Sequence, residues 1–295
     1  MNRVRAGFRL RGVFGVLPTA FDDEGALDRD GIRALVAAYA DAGAAGLTVL
    51  GVMGEAAELS KDERSTVVGL VREASGEHLP MVIGITGPTV ELVAERAAGA
   101  ASAGAAAVMV SPTTTLPLTE AVAAAANGGL PIVIQDYPPA SGVTLTVEEL
   151  AAERQLLVIG VKAEAPPTST AIAELARRRP DLDAMGALGG LFLVDELRAG
   201  STGTMTGFAL PDRLVSIVRT FATDETAAER EWLSLLPLMR LEAFAPYSLA
   251  TRKEVWRLRG VIRSARCRRA GAALDETARR DVRRAVEVVL GPLPG

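Results

Sequence analysis

The sequence predicts an α/β fold, a (β/α)8 TIM barrel with a C-terminal three-helix extension. Three observations predict it. Short apolar runs alternate along the chain with segments whose apolar residues recur at helical period. Eight such runs occur, at a spacing of roughly 20–30 residues. The runs are mostly apolar rather than alternating, as expected of strands covered on both faces.

In chain order the strand candidates are 12–21 (GVFGVLPTAF), 46–55 (GLTVLGVMGE), 79–87 (LPMVIGITG) and 105–112 (AAAVMVSP). They continue with 130–138 (LPIVIQDYP), 156–166 (LLVIGVKAEAP), 182–190 (LDAMGALGG) and 201–208 (STGTMTGF). Apolar stripes at helical spacing mark 29–43, 61–75, 89–104 and 146–154. Ser60 and Thr146 each stand three residues before a glutamate, Glu63 and Glu149, which is the capping-box pattern. Gly43 and Gly104 close two of the helices. A doubly wound open sheet is the main competitor, but the first strand ends in LPTAFDDEG, without the glycine-rich phosphate turn that such sheets usually carry. After the eighth strand come helical segments at 210–224, 227–245, 248–262 and 275–291, three more than the last barrel helix requires. The expected organisation is a barrel over 1–224 and a helical extension over 225–295 packed on it.

Composition narrows the function. Hydrophobic residues make up 49% of the 295, enough for a large core. A net charge of −4 argues against a nucleic-acid partner, which normally needs a basic face. The N-terminus has arginines but no apolar segment after them, and no stretch approaches ~18 charge-free apolar residues in a helical setting. No membrane partner and a cytoplasmic location are therefore expected. One cysteine, Cys267, and one histidine, His78, exclude an internal disulfide. They also disfavour a Cys/His zinc site and the metal-dependent aldolases and hydrolases built on one. A carboxylate-bound magnesium stays open, but no metal and no cofactor are expected. Cys267, in arginine-rich SARCRR, reads as a bystander thiol and His78 as a loop residue.

The 32 basic residues include only three lysines, Lys61, Lys162 and Lys253. Imine chemistry is a task arginine cannot perform, because guanidinium stays protonated and is a poor nucleophile. Lys61 and Lys253 fall at the start of and within helices and read as solvated. Lys162 falls near the end of the sixth strand, in VIGVKAEAPP, where active sites of this fold sit. Desolvation there frees an amine for attack. By strand alternation Glu164 shares its face, as a base beside an imine or an ion-pair partner. At the end of the fifth strand the same alternation puts Gln135 and Tyr137 on one side and Asp136 on the other. Tyr137 is a candidate proton carrier, with packing at the barrel rim as the alternative. Gly51-Val52-Met53-Gly54 ends the second strand, where two glycines let backbone N–H groups converge on a ligand carboxylate. The alternative is a tight turn, with Glu55 solvated or capping.

Taken together, over roughly residues 12–290, these strand ends resemble the dihydrodipicolinate synthase / N-acetylneuraminate lyase superfamily. GVLPTAFDDEGALD resembles its opening strand, GLTVLGVMGEAAELSKDER its glycine–Thr–Thr–glycine–Glu segment and helix start, and VIGVKAEA its Schiff-base strand. GTMTGF resembles its eighth strand, which adds Thr204 to the substrate-binding candidates, and the late helices resemble its C-terminal extension. The resemblance implies a class I aldolase or dehydratase acting on pyruvate or another small-molecule 2-oxo acid through Lys162. It also implies a homo-oligomer, tetramer or dimer. Three departures accompany it. Val52 and Met53 stand where the family has paired threonines, Gln135 where it has its relay tyrosine, and Ala140 where its synthases place a carboxylate-binding arginine. These point away from the synthase reaction and towards another lyase, such as one cleaving or dehydrating a 2-oxo-3-deoxy sugar acid. The synthase reaction itself, and a barrel that binds a metabolite without turnover, are the alternatives.

Overall fold

A computed structural model describes residues 7–243 and 247–292. Eight strands appear in the expected order: β1 (Gly12–Val16), β2 (Gly46–Val49), β3 (Met81–Gly84), β4 (Ala107–Val110), β5 (Ile132–Asp136), β6 (Val158–Ala163), β7 (Asp183–Met185) and β8 (Gly203–Thr206). All pair in parallel, in the order β7-β6-β5-β4-β3-β2-β1-β8. A single bridge between Gly186 and Thr204, with Met205 N donating to Gly186 O at 2.9 Å, closes the ring. The protein is a TIM barrel.

The intervening helices are α1 (Arg29–Asp41), α2 (Lys61–Ser75), α3 (Val90–Ser102), α4 (Leu118–Ala125), α5 (Pro138–Ser141), α6 (Val147–Ala152), α7 (Thr168–Arg178), α8 (Leu193–Arg198) and α9 (Pro211–Phe221). Three further helices follow: α10 (Glu225–Glu242), α11 (Ser248–Leu258) and α12 (Glu276–Leu290). Both capping boxes form, Ser60 with Glu63 and Thr146 with Glu149, satisfying N–H groups that a helix start leaves orphaned.

The strands are shorter than the apolar runs that predict them. The run 46–55 leaves sheet geometry at Leu50, which takes a left-handed conformation (φ 58°), and its tail winds into the 3-10 turn Val52–Gly54. Apolar residues there line a site rather than a ladder. Alternation divides the strand side chains. Phe14, Val82, Met109, Val133 and Met205 meet in one cluster, the barrel lumen, while Val13, Ile83, Val108, Ile134 and Ala184 pack outward against the helices. In β6 the alternation is reset. Ile132 pairs with Val158 but Val133 pairs with Gly160, so β6 carries one extra residue, a β-bulge. Ile159 faces the lumen, Val161 faces the helices, and Lys162 faces the lumen again. Gly160 is required at the bulge, because a Cβ there would come within 2.4 Å of Asp183 O.

The extension packs on the barrel through defined contacts. Trp256 of α11 stacks edge-on against Tyr39 of α1, with ring centroids 5.4 Å apart. Trp232 of α10 donates to Gly190 O at 3.0 Å. Lys253 is not the solvated residue that its helical setting suggested. It is wholly buried, and its Nζ pairs with Glu55 Oε1 at 2.5 Å. Glu55 is likewise neither solvated nor a cap: its other oxygen accepts from the N–H groups of Arg268 and Arg269, at 2.6 and 2.8 Å. Burial pushes the lysine's pKa down while Glu55 opposes the shift. Periodicity missed this because α11 is buried on nearly all sides, its solvent face taken by the barrel. Lys253→Met would leave a buried carboxylate without its cation, so the folded state should lose about 3–5 kcal/mol, read from urea unfolding. A loss below ~1 kcal/mol would mean the two backbone N–H groups suffice.

Candidate active site

Lys162 is buried near the C-terminal end of β6, and Nζ lies 2.9 Å from Glu164 Oε2. The same oxygen accepts from Gln135 Nε2 at 2.6 Å, and Gln135 Oε1 accepts from Ser111 Oγ at 3.4 Å. Gln135 therefore orients the carboxylate beside the lysine, a role suited to an amide, which cannot shuttle protons. β5 ends at Asp136, and Tyr137 has left strand geometry (φ −132°, ψ 81°) before the short helix α5. That bend brings Tyr137 to the wall of the chamber that holds Lys162 and Glu164. Burial, and then the charge of Glu164, hold its phenol pKa above the ordinary value, so it sits there as a protonated donor. Asp136 faces the other way. Burial pushes its carboxyl up to about 6, and one of its oxygens has no partner among the described residues.

The inner chamber is narrow, about 30 Å³, and is lined also by Gly51, Val52, Met53, Leu188, Thr206, Ser248 and Arg252. It shares Gly51, Val52, Met53, Met109, Gln135, Tyr137 and Ser248 with an outer chamber of about 710 Å³. Of the residues anticipated as substrate-binding, Gly51, Val52, Met53 and Gln135 line this cavity. Gly54 does not: its carbonyl accepts from Thr19 Oγ1 at 2.6 Å, tying the turn to the first strand's loop. Thr204 does not either. Strand alternation puts Met205 in the lumen and Thr204 behind it, where its hydroxyl donates to Gly186 O at 3.2 Å. The hydroxyl at the wall is Thr206, two residues on, which accepts from Gly189 N at 2.9 Å and so holds the Leu188–Gly190 turn.

Sequence reasoning missed Arg252 and Glu242. Arg252, on α11, is buried, and its Nε donates to Glu242 Oε2 at 3.1 Å. Burial pushes Glu242 up to about 7 although Arg252 opposes the shift. These residues lie 80 and 90 positions from Lys162, and only packing of the extension brings them to the chamber; the sole hint was charge inside apolar stretches. Cys267 is half-buried, its thiol pushed up to about 11 by burial, which leaves it unreactive. Among the described residues no group of three His, Cys, Asp or Glu could hold a metal ion, and no helix is long and apolar enough to cross a membrane.

Behind the site, Glu196 of α8 packs against Gly186, where a Cβ would collide with its carboxylate at 1.7 Å. Thr168 Oγ1 donates to Glu196 Oε1 at 2.7 Å, while Oε2 has no partner among the described residues. Burial pushes this carboxyl up from 4.5 to about 7, with Glu164 adding to the shift. A folded-state pKa raised above the unfolded one gives a contribution present below about 4.5 and lost as pH rises through about 7. Glu196→Gln should therefore gain on the wild type between pH 5 and pH 8, by up to roughly 3 kcal/mol at about 1.4 kcal/mol per pKa unit. Urea unfolding at the two pH values checks it, and parallel pH profiles would show the carboxyl is not perturbed.

The family model of the dihydrodipicolinate synthetase family matches residues 9–289. Among curated proteins, the L-2-keto-3-deoxyarabonate dehydratase of Azospirillum brasilense is 31% identical over 278 residues, 88% of this chain and 88% of that protein. A 4-hydroxy-tetrahydrodipicolinate synthase of Methanothrix thermoacetophila is 30% identical over 240 residues, 78% of this chain and 81% of that one. Among solved structures, a dihydrodipicolinate synthase from Rhodopseudomonas palustris superposes with a TM-score of 0.87 at 30% identity, covering 95% of this chain and 97% of that one.

Proposed function

The chain belongs to the dihydrodipicolinate synthetase family, and we propose that within it the protein is a Schiff-base lyase that dehydrates a 2-oxo-3-deoxy sugar acid through Lys162. The observation that carries this is the buried Lys162–Glu164 pair, 2.9 Å apart, at the C-terminal end of β6. Dehydration is favoured over the synthase reaction by the dehydratase relative and by the side chains at the site. Val52, Met53 and Gln135 supply no hydroxyl, and Ala140, at the outer chamber's wall, no guanidinium.

The steps follow from the positions. Glu164 takes a proton from Lys162, and the free amine attacks the C2 carbonyl of the substrate. Glu164 returns that proton to the carbinolamine hydroxyl, which leaves as water to give an iminium, and the iminium acidifies the C3 hydrogens. Glu164 removes one of them, and the enamine expels the C4 hydroxyl, which leaves as water with the proton of the Tyr137 phenol. Hydrolysis of the iminium frees Lys162 and the product. The substrate carboxylate sits at the 3-10 turn Val52–Gly54, whose first N–H groups are those a helix start leaves unpaired. Arg252 stands across the chamber as a second anchor. The active form is a homo-oligomer, tetramer or dimer, which light scattering on the eluting protein would reveal.

The test is incubation with 2-oxo-3-deoxy pentonates and hexonates, following consumption and product mass. Loss of 18 mass units from substrate supports dehydration. Release of pyruvate would mean aldol cleavage instead, and rescue of a strain lacking the synthase would mean the synthase reaction. Ligand-induced stabilisation without any turnover would mean a binding barrel.

A further inference from the structure

The outer chamber is too large for a three-carbon acid alone, and its charge is uneven. Its walls carry Arg64, Arg96 and Arg269 against one carboxylate, Glu58. Glu58 Oε1 lies 3.6 Å from Arg269 Nε, and Arg269 also donates to Val52 O at 2.7 Å, so that guanidinium is engaged. Arg64 and Arg96 are different. Both are half-buried, and among the described residues their side chains donate only to backbone carbonyls, Arg64 to Leu59 and Arg96 to Thr86. The neighbouring carboxylate, Glu95, is taken by Lys61 at 2.7 Å. Burial lowers the pKa of both guanidiniums, and Arg64 lowers that of Arg96 further while the charge of Glu95 opposes it, so two like charges share a wall and neither forms an ion pair within hydrogen-bond reach among the described residues. An isolated surface arginine would turn to solvent or to an acid. Here α2 and α3 hold the pair at the junction of the chamber and the groove between the two helices.

We propose that Arg64 and Arg96 form an oxyanion-binding subsite at the outer end of the cavity, taking a phosphate or carboxylate group. Two planar guanidiniums suit such a group, because each can donate a pair of N–H bonds to its oxygens. The anion is either the far end of a substrate whose 2-oxo acid end lies at Lys162, or a free anion. The first source rests on the function proposed above; the binding itself does not.

Inorganic phosphate is the probe, titrated at constant ionic strength against chloride and read by calorimetry and by thermal stabilisation. Saturable binding is expected, weakened ~10-fold or more in each of Arg64→Gln and Arg96→Gln. Arg72→Gln, which alters a residue lining only the outer groove, should leave it unchanged. Circular dichroism and melting without phosphate establish that the variants fold. Binding that does not saturate, or that is equal in wild type and both variants, overturns the proposal, as does an equal loss in Arg72→Gln, which would mean a diffuse field. A 2-oxo acid bearing a terminal phosphate then separates the sources: displacement by phosphate identifies the substrate's far end, and co-binding identifies a free anion, either outcome supporting the subsite. Pyruvate trapping with borohydride is read on the same samples. Its absence sinks the Schiff-base reading, while saturable phosphate binding still supports the subsite.

Discussion

Lys162→Ala is expected to lower kcat by ~10⁴-fold or more, because it removes the proposed nucleophile, on which every later step of the proposed reaction depends. Lys162→Arg should fail as badly. It keeps a positive charge beside Glu164, but a guanidinium stays protonated and forms no imine. Comparing the two separates chemistry from electrostatics: a lysine needed only to neutralise Glu164 would be partly replaced by arginine. The direct readout is mass spectrometry after borohydride reduction with pyruvate, where the wild type should gain one reduced adduct on the peptide containing Lys162. Lys61 is exposed and Lys253 is locked in a buried ion pair, so neither should carry it. An adduct elsewhere, or turnover surviving in Lys162→Ala, would sink the assignment. Removing the lysine leaves Glu164 buried with only Gln135 as donor among the described residues, so melting must be measured beside activity.

The second large effect concerns proton transfer. Glu164→Gln should lower kcat by about 10²–10⁴-fold, the range that positioned proton-transfer groups contribute. Tyr137→Phe should also lower it, by a different factor, while imine trapping persists in at least the tyrosine variant. The family resemblance, with its relay phenol in this region, favours Tyr137. The geometry shifts the weight to Glu164, which touches Lys162 directly at 2.9 Å, whereas Tyr137 lines the chamber without a hydrogen bond to either residue. Glu164→Gln should also slow imine formation, because it removes the group that takes the lysine's proton; Tyr137→Phe should act only after that step. Near-wild-type turnover in both variants would place the relay elsewhere in the chamber.

Local pattern was enough for the barrel and for the strand-end position of Lys162. Eight apolar runs, each long enough to cross a sheet and each followed by a helical stretch, leave few ways to bury both faces of every strand, and closure is the one that leaves no edge. The two capping boxes and the strand-end positions of Lys162, Gln135 and Tyr137 were equally readable, because each depends on residues a few positions apart. Only the tertiary structure decided the rest. The β6 bulge could not be read from alternation, yet it puts Ile159 and Lys162 in the same lumen, since one extra residue reverses every later side chain. Thr204 is the candidate that the resemblance offers, but Thr206 lines the wall: the two share a face of β8 and differ in height along it, and only Thr206, the last residue of the strand, reaches the chamber. Lys253, Glu55, Arg252 and Glu242 looked like ordinary charged positions. Their roles come from the docking of α10 and α11 on the barrel, which takes solvent away from four charges at once and forces them into pairs. A sequence states which residues can be buried; which distant charge meets them there is decided by packing, a sum over contacts that no local window contains.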